Sequence, residues 1–281
     1  MAVLLYPNRI KDNGFAVTRQ AAVLLTEYGS RVLMSEEFRT EFPQAHICFL
    51  PLNEAFAKAD QVVTIGGDGT LLGASAQCLN AGKPVLGVNL GRTGFLATCE
   101  MKEMPQKLAR LARGEFSIEK RELLQAVSGD GEWQSTAVND VVLYGESRLH
   151  PMDYSIYCDG SFVCCYRSDG VIAATPTGST AYALSTGGPI LDAAAPVFEV
   201  NGICAHSTGT APMIFSASRR LTIVADADNR NDVFVCTDSH SPHAIRPGGE
   251  VTITAAEQFL QLVCFGEATQ FEAIETKLKR R

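Results

Sequence analysis

Several features that mark other classes of protein are absent from this chain of 281 residues. It has no apolar run of about 18 residues, so we expect no membrane partner and no membrane span. It has no Cys-x-x-Cys pair, and its nine cysteines are an odd number. We therefore expect reduced cytosolic thiols in the core, with a metal or disulfide site as the alternative. Internal repeats and low-complexity linkers are also missing, which argues against a repeat architecture.

An excess of positive charge is missing too. The chain has 24 Lys and Arg against 31 Asp and Glu, which gives a net charge of −7. Non-specific binding to DNA or RNA needs a basic surface, so we expect no nucleic-acid partner. Phosphate ligands are still possible, because a glycine-rich loop can hold them without lysines. The length allows one large domain or two ordinary ones.

Two common nucleotide-binding motifs are also lacking. The chain contains no G-x-x-x-x-G-K-[ST] sequence, which excludes a P-loop NTPase. Gly67-x-Gly69 is followed by Leu72 where the dinucleotide fingerprint requires a third glycine. A dehydrogenase that uses NAD as a redox cofactor is therefore disfavoured.

What is present changes in character near residue 115. Up to that point, short apolar runs alternate with segments of helical periodicity, which indicates an α/β domain with a mostly parallel sheet. We assign residues 1–118 to this N-terminal domain. The predicted strands are 2–6, 31–35, 46–50, 62–65 and 85–88, and the predicted helices are 17–28, 71–80 and 104–111.

The later part is rich in strands. Segments 154–158 and 162–166 flank Asp159-Gly160, a strong hairpin signal. We assign residues 119–266 to a β-rich C-terminal domain. Its other predicted strands are 171–175, 221–225, 233–237, 251–254 and 261–265.

The first candidate site is the loop 66–70, Gly-Gly-Asp-Gly-Thr, between the strand 62–65 and a helix starting near Leu71. A strand, a glycine loop and a helix N-terminus in this order are typical of phosphate binding. A carboxylate among such amides repels phosphate unless it meets a metal or a hydroxyl. Asp68 is therefore predicted to lie where a hydroxyl nucleophile meets a phosphoryl donor. The alternative is a plain turn in which Asp68 caps the helix.

Three further segments carry weaker signals. The loop 88–96 follows a predicted parallel strand and either serves a polyphosphate or shapes a βα connection. The segment 167–189 is dense in hydroxyl groups and suits a ribose, amide or phosphate ligand. Its alternative is a polar connection in which Ser179 caps a helix. The pair Asn139-Asp140 can bind both hydroxyls of a ribose or an adenine edge, or it can be an ordinary turn.

Together these segments resemble the NAD kinases. The shared motifs are GGDGT at 66–70, NLGRTGF at 89–95, ND at 139–140, and SDG…TPTGSTAY…GGP across 168–189. GGDGT also occurs in lipid kinases, and phosphofructokinases have a similar sequence. TPTGSTAY, in this order and at this distance, is specific to NAD kinases. The resemblance spans roughly residues 62 to 265.

The resemblance implies a reaction and an architecture. The reaction transfers the γ-phosphoryl group of ATP to the 2′-hydroxyl of the adenosine ribose of NAD and gives NADP, with Mg²⁺ or another divalent cation. The architecture is an α/β domain and a β-sandwich-like domain with the ligand site between them. Residues 267–281 are expected to return to the first domain. We also expect a cytoplasmic homodimer or homotetramer.

The resemblance also implies site residues. Asp68 is the expected proton acceptor, and no residue is assigned as a metal ligand. The expected NAD contacts are Asp68, Gly69, Asn139, Asp140, His150, Arg167, Asp169, Thr180, Ala181, Tyr182, Ala183, Leu184, Ser185 and His240. The expected phosphate and ATP contacts are Gly66, Gly67, Gly69, Thr70, Asn89 and Gly91. His240 departs from the family pattern, in which a glutamine is frequent, and so do Thr93 and Ala211.

Two other classes of function fit parts of the sequence. A lipid or sugar-phosphate kinase shares the GGDG motif, but no interfacial apolar or basic surface element is apparent. A non-catalytic dinucleotide sensor is expected to lose the aspartate of the first loop, and Asp68 is present. Both are therefore disfavoured against the NAD kinase interpretation.

Overall fold

The computed structural model of the protein describes residues 1–43, 46–91, 94–146, 150–206, 211–229, 231–238, 240–266, 270 and 273–274. It divides into two compact units, Met1–Lys120 with Leu260–Arg281, and Arg121–Phe259. Within the described ranges, every helix is too short or too polar to cross a membrane.

The first unit alternates strands and helices along most of its length. Its elements are β1 (Ala2–Pro7), α1 (Ala16–Glu27), β2 (Arg31–Ser35), β3 (Ile47–Leu50), α2 (Leu52–Lys58), β4 (Gln61–Gly66), α3 (Asp68–Ala81), β5 (Val85–Asn89), β6 (Cys99–Glu100), α4 (Met104–Ala112) and β7 (Ser117–Arg121). Short 3₁₀ helices lie at Asn13–Phe15 and Glu36–Phe38.

The second unit is built almost entirely of strands. Its elements are β8 (Leu124–Ser128), β9 (Gln134–Ala137), β10 (Asp140–Gly145), β11 (Met152–Cys158), β12 (Ser161–Ser168), β13 (Gly170–Ala174), α5 (Tyr182–Ser185), β14 (Val197–Ile203), β15 (Met213–Ser216), β16 (Leu221–Ala225), β17 (Val233–Thr237), β18 (His243–Ile245) and β19 (Glu250–Ala255). A 3₁₀ turn at Gly178–Thr180 precedes α5, and β20 (Leu260–Cys264) follows β19.

The sheet of the first unit has the order β3-β2-β1-β4-β5-β20-β7, with β6 paired to β5. The β1–β2, β1–β4, β2–β3 and β4–β5 pairs are all parallel. The strand order reverses between β1 and β4, because β2 lies on one side of β1 and β4 on the other. In open α/β sheets, ligands bind outside the carboxyl ends of the strands at such a reversal. The predicted mostly parallel sheet is confirmed.

One strand lies in a different unit from the one expected. Residues 261–265 are expected in the C-terminal domain, whereas β20 belongs to the first sheet. Leu262 pairs in parallel with Val85 of β5. The expected return of 267–281 to the first domain falls almost entirely outside the described residues.

The second unit holds two antiparallel sheets that share one core. Their orders are β15-β14-β13-β10-β17-β18 and β12-β11-β16-β19-β8-β9. Alternate side chains of both sheets form one buried cluster, which includes Leu143 and Val171 of the first and Ile156 and Ile223 of the second. The expected sandwich-like arrangement of antiparallel sheets is therefore present. The predicted hairpin turn is also confirmed, because Asp159 and Gly160 both have positive φ, at 49° and 81°.

Candidate active site

The first candidate loop, at the end of β4, holds Asp68 in an unexpected way. The helix α3 begins at Asp68 rather than near Leu71, and its N-cap is Gly67. The Asp68 carboxylate turns away from the helix end and accepts backbone hydrogen bonds from Phe95 (2.8 Å, at Oδ2), Leu96 (3.1 Å, at Oδ1) and Ala97 (2.8 Å, at Oδ1). The helix-capping alternative is therefore wrong. Asp68 instead joins the first glycine loop to the second.

Gly94 makes this contact possible. A Cβ atom at position 94 would lie 2.0 Å from the Asp68 Oδ1 and 3.0 Å from the Ala97 carbonyl oxygen. Any side chain here would therefore push the loop away from the carboxylate. Three backbone N–H groups and the close approach of Gly94 fix the position of the Asp68 carboxylate at the carboxyl edge of the sheet.

The other expected phosphate contacts lie around Asp68. Asn89, at the end of β5, accepts a hydrogen bond from the Gly91 N–H through its Oδ1 atom (3.0 Å). The Leu90 N–H donates to the Gly66 carbonyl (3.2 Å), so the two glycine loops are linked at a second point. A Cβ atom on Gly69 would meet no atom within 4 Å, so the first turn of α3 borders open space. Arg92 and Thr93 lie outside the described residues.

The ND motif, the fourth candidate element, lies in the second unit. Asn139 and Asp140 stand at the start of β10, and Asp238 follows β17, its neighbour in the sheet. The Asp238 carboxylate accepts backbone hydrogen bonds from Val138 (2.7 Å), Asn139 (2.7 Å) and Asp140 (3.2 Å). Asp238 therefore fixes the backbone of the ND motif.

The two carboxyl groups of this cluster influence each other. Burial and the charge of Asp238 raise the pKa of Asp140 to about 7. Burial also raises the pKa of Asp238, although its three backbone hydrogen bonds act in the opposite direction. Since these bonds favour the ionised form of Asp238, we assign the proton of the pair to Asp140. Near neutral pH the Asp140 carboxyl can then donate a hydrogen bond as well as accept one.

The TPTGST segment packs directly on the ND motif. The Thr175 N–H donates to the Asn139 carbonyl (2.9 Å), and the Thr175 hydroxyl donates to the Val138 carbonyl (2.6 Å). A Cβ atom on Gly178 would lie only 2.0 Å from the Asn139 carbonyl oxygen. Ser179 does not cap a helix, because its hydroxyl donates to the Pro176 carbonyl (2.7 Å) and accepts from the Leu191 N–H (3.0 Å).

The expected contacts that follow, Thr180 to Ser185, are exposed to different degrees. The Tyr182 ring is 46% exposed, and Ser185 is exposed as well. Ala183 is fully buried against Ile172 and Ala174, so its side chain supports α5 instead of facing a ligand. Thr180, Ala181 and Leu184 are half-buried. The face of α5 that can meet a ligand is therefore the one that carries Tyr182 and Ser185.

Two more expected contacts share a polar pocket of about 580 Å³. His150 and Arg167 line it together with Asp153, Asp228 and Asn229. The Arg167 guanidinium forms an ion pair with Asp153 (3.2 Å), which holds it at the pocket wall. Hydrogen-bonding groups of both kinds line this pocket, so it suits a ligand with amide or hydroxyl groups.

The last two expected contacts are tied to their own strands. The Asp169 N–H donates to the Ile203 carbonyl (2.9 Å), and the half-buried Asp169 links β12 to β13. The His240 N–H and Nδ1 both lie at hydrogen-bonding distance from the Thr237 carbonyl, at 2.8 Å and 2.9 Å. His240 therefore folds back beside Asp238, the residue that fixes the ND motif.

The residues that support the motifs carry little signal in the sequence. Gly94 is expected only as part of a loop that serves a polyphosphate or shapes a βα connection. Asp238 and Asn8 have no predicted role, although the Asn8 amide donates to the Thr70 hydroxyl (3.0 Å). Each acts on a motif far away in the chain, so spacing within the motif carries no signal of it. The proximity of Asp238 to His240 in sequence was the one available hint.

Comparisons with known proteins agree with these motifs. The family model described as ATP-NAD kinase N-terminal domain matches residues 3–116, and the one described as ATP-NAD kinase C-terminal domain matches residues 138–265. An NAD kinase of Pseudomonas fluorescens is 36% identical over 78% of this chain and 75% of its own. An NAD kinase of Tolumonas auensis is 33% identical over 90% of this chain and 88% of its own.

Solved structures share the fold. Yeast NADH kinase complexed with NADH superposes with a TM-score of 0.86 at 24% identity, covering 99% of this chain and 86% of the yeast chain. An NAD kinase from Archaeoglobus fulgidus in complex with ATP gives a TM-score of 0.78 at 22% identity, with 100% and 98% coverage. With the family models and the relatives above, these motifs lead to one conclusion: the chain belongs to the NAD kinase family.

Proposed function

We propose that this protein transfers the γ-phosphoryl group of ATP to the 2′-hydroxyl of the adenosine ribose of NAD and releases NADP. Membership of the NAD kinase family supports the reaction, since its sequence relatives are named NAD kinases. The single observation that carries the assignment of Asp68 is its carboxylate, fixed by three backbone N–H groups at the carboxyl edge of the sheet. A carboxylate held there among glycines suits a hydroxyl and disfavours an unshielded phosphate.

Asp68 acts on the acceptor hydroxyl in this proposal. Phosphoryl transfer has a loose transition state, so the hydroxyl proton can leave late and a weak base is sufficient. Asp68 orients the 2′-hydroxyl and accepts its proton, as an aspartate does in protein kinases. Because its backbone partners already fix the carboxylate, little reorganisation is needed when the substrate binds.

The glycine loops receive the donor phosphates. Backbone amides of Gly67 and Gly69 lie at the N-terminus of α3, where the helix dipole favours negative charge. The Thr70 amide already donates to the Gly67 carbonyl (2.9 Å), so Thr70 closes the first turn. The amide of Gly91 is already used by Asn89, so Asn89 shapes the second loop and the first loop supplies the donors.

A divalent cation belongs to this proposal as a companion of ATP. Among the described residues, no group of three His, Cys, Asp or Glu side chains could hold a metal ion. We assign the cation to the triphosphate of ATP, and Asp68 is the carboxylate of the first loop. Such a cation supplies charge neutralisation on the transferring phosphoryl group.

The second unit recognises NAD in this proposal. Asn139 and Asp140 bind the ribose or the adenine edge, and Tyr182 stacks its exposed ring on a base. The pocket with His150 and Arg167 takes a polar part of the dinucleotide, and Asp169 and His240 are further proposed contacts. The yeast relative was solved with NADH and the Archaeoglobus relative with ATP, which supports both classes of substrate.

Three further parts of the proposal concern the whole protein. We place it in the cytoplasm as a homodimer or homotetramer, with the two compact units as its two domains. Light scattering of the purified protein gives the mass of the assembly. A monomeric mass would contradict the proposed oligomeric state and would not affect the proposed reaction.

The reaction is tested by turnover. Purified protein is mixed with NAD, ATP and Mg²⁺, and NADP is read with an NADP-specific dehydrogenase. We expect NADP only when ATP and the cation are both present. If NAD binds in a calorimeter but no NADP forms, the protein is a sensor or uses another donor. If neither occurs, the proposal is wrong.

A further inference from the structure

The loop between β1 and α1 lies at the reversal point of the first sheet. β1 and β4 are parallel neighbours, and Pro7 at the end of β1 pairs with Ile65 near the end of β4. The Asn8 N–H then donates to the Ile65 carbonyl (2.9 Å). The residues after β1 therefore reach the same edge as the GGDGT loop, where an α/β sheet binds its ligand.

The Asn8 side chain fixes this loop in two directions. Its Oδ1 atom accepts hydrogen bonds from the Ile10 and Lys11 N–H groups, both at 3.0 Å. Its amide group donates to the hydroxyl of Thr70, the last residue of GGDGT, at 3.0 Å. The backbone at Lys11 is thereby held in register with the first glycine loop.

The Lys11 ammonium group lies over Gly67. A Cβ atom at position 67 would be 2.9 Å from the Lys11 Nζ and 3.5 Å from the Asn89 Oδ1. Within the ranges that the structure describes, no carboxylate forms an ion pair with Lys11, whereas the neighbouring Arg9 pairs with Glu37 and Glu41. Lys11 thus presents a positive charge beside the loop that is proposed to take phosphate.

We propose that Lys11 binds a phosphate group of the nucleotide donor over Gly67, and so takes the role that the lysine of a P-loop has in other folds. The inference rests on the proposed function, because it names a further residue for the same donor site. In a chain with net charge −7, a local cation beside the glycine loop adds attraction for a triphosphate to that of the backbone amides. Lysine serves phosphate as a compact point charge that needs no fixed geometry.

Two substrates carry phosphate, and the experiment separates them. Lys11→Met is compared with wild type and with Lys11→Arg, which keeps the charge. Lys83→Met is the control, because it removes one positive charge from the segment before β5, at the opposite edge of the sheet. Thermal unfolding of all variants checks that the fold is intact.

The first measurement is calorimetric binding of the non-hydrolysable analogue adenylyl imidodiphosphate with Mg²⁺. We expect Lys11→Met to weaken binding about 10- to 100-fold, the range of a hydrogen bond to a charged group. Lys11→Arg is expected to keep most of the affinity, and Lys83→Met to equal wild type. Equal binding by Lys11→Met and Lys83→Met would overturn the inference.

The second measurement is the KM of each substrate in steady-state turnover. We expect Lys11→Met to raise the KM for ATP and leave that for NAD unchanged. A rise in the KM for NAD alone would assign Lys11 to the diphosphate of NAD and overturn the donor assignment. If wild type forms no NADP, the proposed function fails, and the calorimetric comparison still decides the role of Lys11.

Discussion

The Asp68 carboxylate serves the fold and the proposed reaction with the same two oxygen atoms. Its hydrogen bonds to Phe95, Leu96 and Ala97 join two loops that are separated in the chain by α3 and β5. An amide in its place would direct an NH₂ group at one or two of these N–H groups. A buried donor left unsatisfied costs about 1–3 kcal/mol. The variant Asp68→Asn therefore changes stability as well as chemistry, and its turnover needs a control for loop position.

Glu199 is a second residue whose ionisation matters, this time for stability. It is fully buried on β14, and its Oε2 accepts a hydrogen bond from the Asn201 amide (3.0 Å). Its Oε1 atom has no hydrogen-bond partner among the residues that the structure describes. Asn201 also donates to the Thr186 hydroxyl (3.3 Å), just after α5. Burial raises the pKa of Glu199 to about 7, although the bond from Asn201 lowers it in part.

The sign of the resulting pH dependence follows from this raised pKa. The folded state keeps the Glu199 proton up to about pH 7, whereas the unfolded chain releases it near its ordinary value of 4.5. The contribution of Glu199 to the free energy of unfolding is therefore full below the unfolded pKa and falls as the pH rises to about 7. Glu199→Gln removes this loss, since glutamine is neutral at every pH.

We expect the stability of Glu199→Gln relative to wild type to increase by roughly 3 kcal/mol between pH 4.5 and pH 8.5. Urea unfolding at both pH values measures the two differences. Comparing variant with wild type at each pH cancels the titration of Asp140, which falls in the same range. A difference that does not change with pH would show that Glu199 is already ionised in the folded protein.

At the scale of elements, the sequence was sufficient to predict a helix or strand where its periodic pattern is uninterrupted. The β-branched run at 62–65 is part of β4, and the helical spacing after Pro7 became α1. The Asp159-Gly160 pair formed the predicted hairpin between β11 and β12. In each case the residues that decide the structure lie next to one another in the chain.

Other strands could not be predicted from the sequence, because pairing with a neighbouring strand determines their conformation. β7 has the sequence SIEKR and β9 has QSTA, and neither shows an apolar run. Both are edge strands of their sheets, with a neighbouring strand on one side only. β14 escaped prediction for another reason, since its buried Glu199 and Asn201 interrupt the apolar pattern.

The candidate site also has parts that could be predicted from the sequence and parts that could not. The motifs themselves could be found from the sequence, because glycines, hydroxyls and carboxylates at fixed spacing have chemical meaning. The contacts that hold the motifs in place could not be predicted. Asp238 acts on the ND motif from about 100 residues away, and the 94–97 segment acts on Asp68 from more than 25.

The contact between the TPTGST segment and the ND motif gives a prediction at this scale. Gly178→Ala would place a Cβ 2.0 Å from the Asn139 carbonyl oxygen and 2.8 Å from its Cα, both in the backbone. Because neither atom can move cheaply, we expect the KM for NAD to rise at least about tenfold and stability to fall by about 1–3 kcal/mol, the usual range for overpacking.

Steady-state kinetics and urea unfolding measure these two effects. Gly73→Ala is the control, since a Cβ there meets nothing within 4 Å in the middle of α3. It is expected to gain about 0.5–1 kcal/mol and to keep its KM. An unchanged KM in Gly178→Ala would mean that the ND motif does not contact NAD.

For the whole molecule, the cysteines correct one expectation and leave another to be tested. Only Cys78 and Cys99 are buried, so most of the thiols do not lie in the core as expected. The reduced state of the nine cysteines stays a prediction. Cys165 and Cys204 are exposed, and the remaining five are half-buried. Burial, aided by Asp226, raises the pKa of Cys165 and slows its reaction relative to an ordinary thiol.

Titration with Ellman's reagent checks this distribution. The native protein is expected to release a fast phase of two thiols, from Cys165 and Cys204, and slower phases from the half-buried ones. In urea all nine react at once. The loss of the fast phase in the double variant Cys165→Ser, Cys204→Ser identifies its source. Fewer than nine thiols in urea would contradict a fully reduced chain.

The proposed reaction of the whole molecule depends on Asp68, and one paired measurement tests that dependence. Asp68→Asn removes the charged oxygen, whereas Gly94→Ala keeps the carboxylate and displaces the loop that holds it. The values of kcat for NADP formation and the free energies of unfolding are measured for both variants and for wild type.

If Asp68 acts on the ribose hydroxyl, the two variants lose comparable stability but different activity. We expect kcat to fall at least about 100-fold in Asp68→Asn, with NAD binding largely intact. The kcat of Gly94→Ala is expected to be at least about tenfold higher than that of Asp68→Asn. Near-normal turnover by Asp68→Asn, or equal loss of kcat in both variants, would contradict the account and leave Asp68 as a link between two loops.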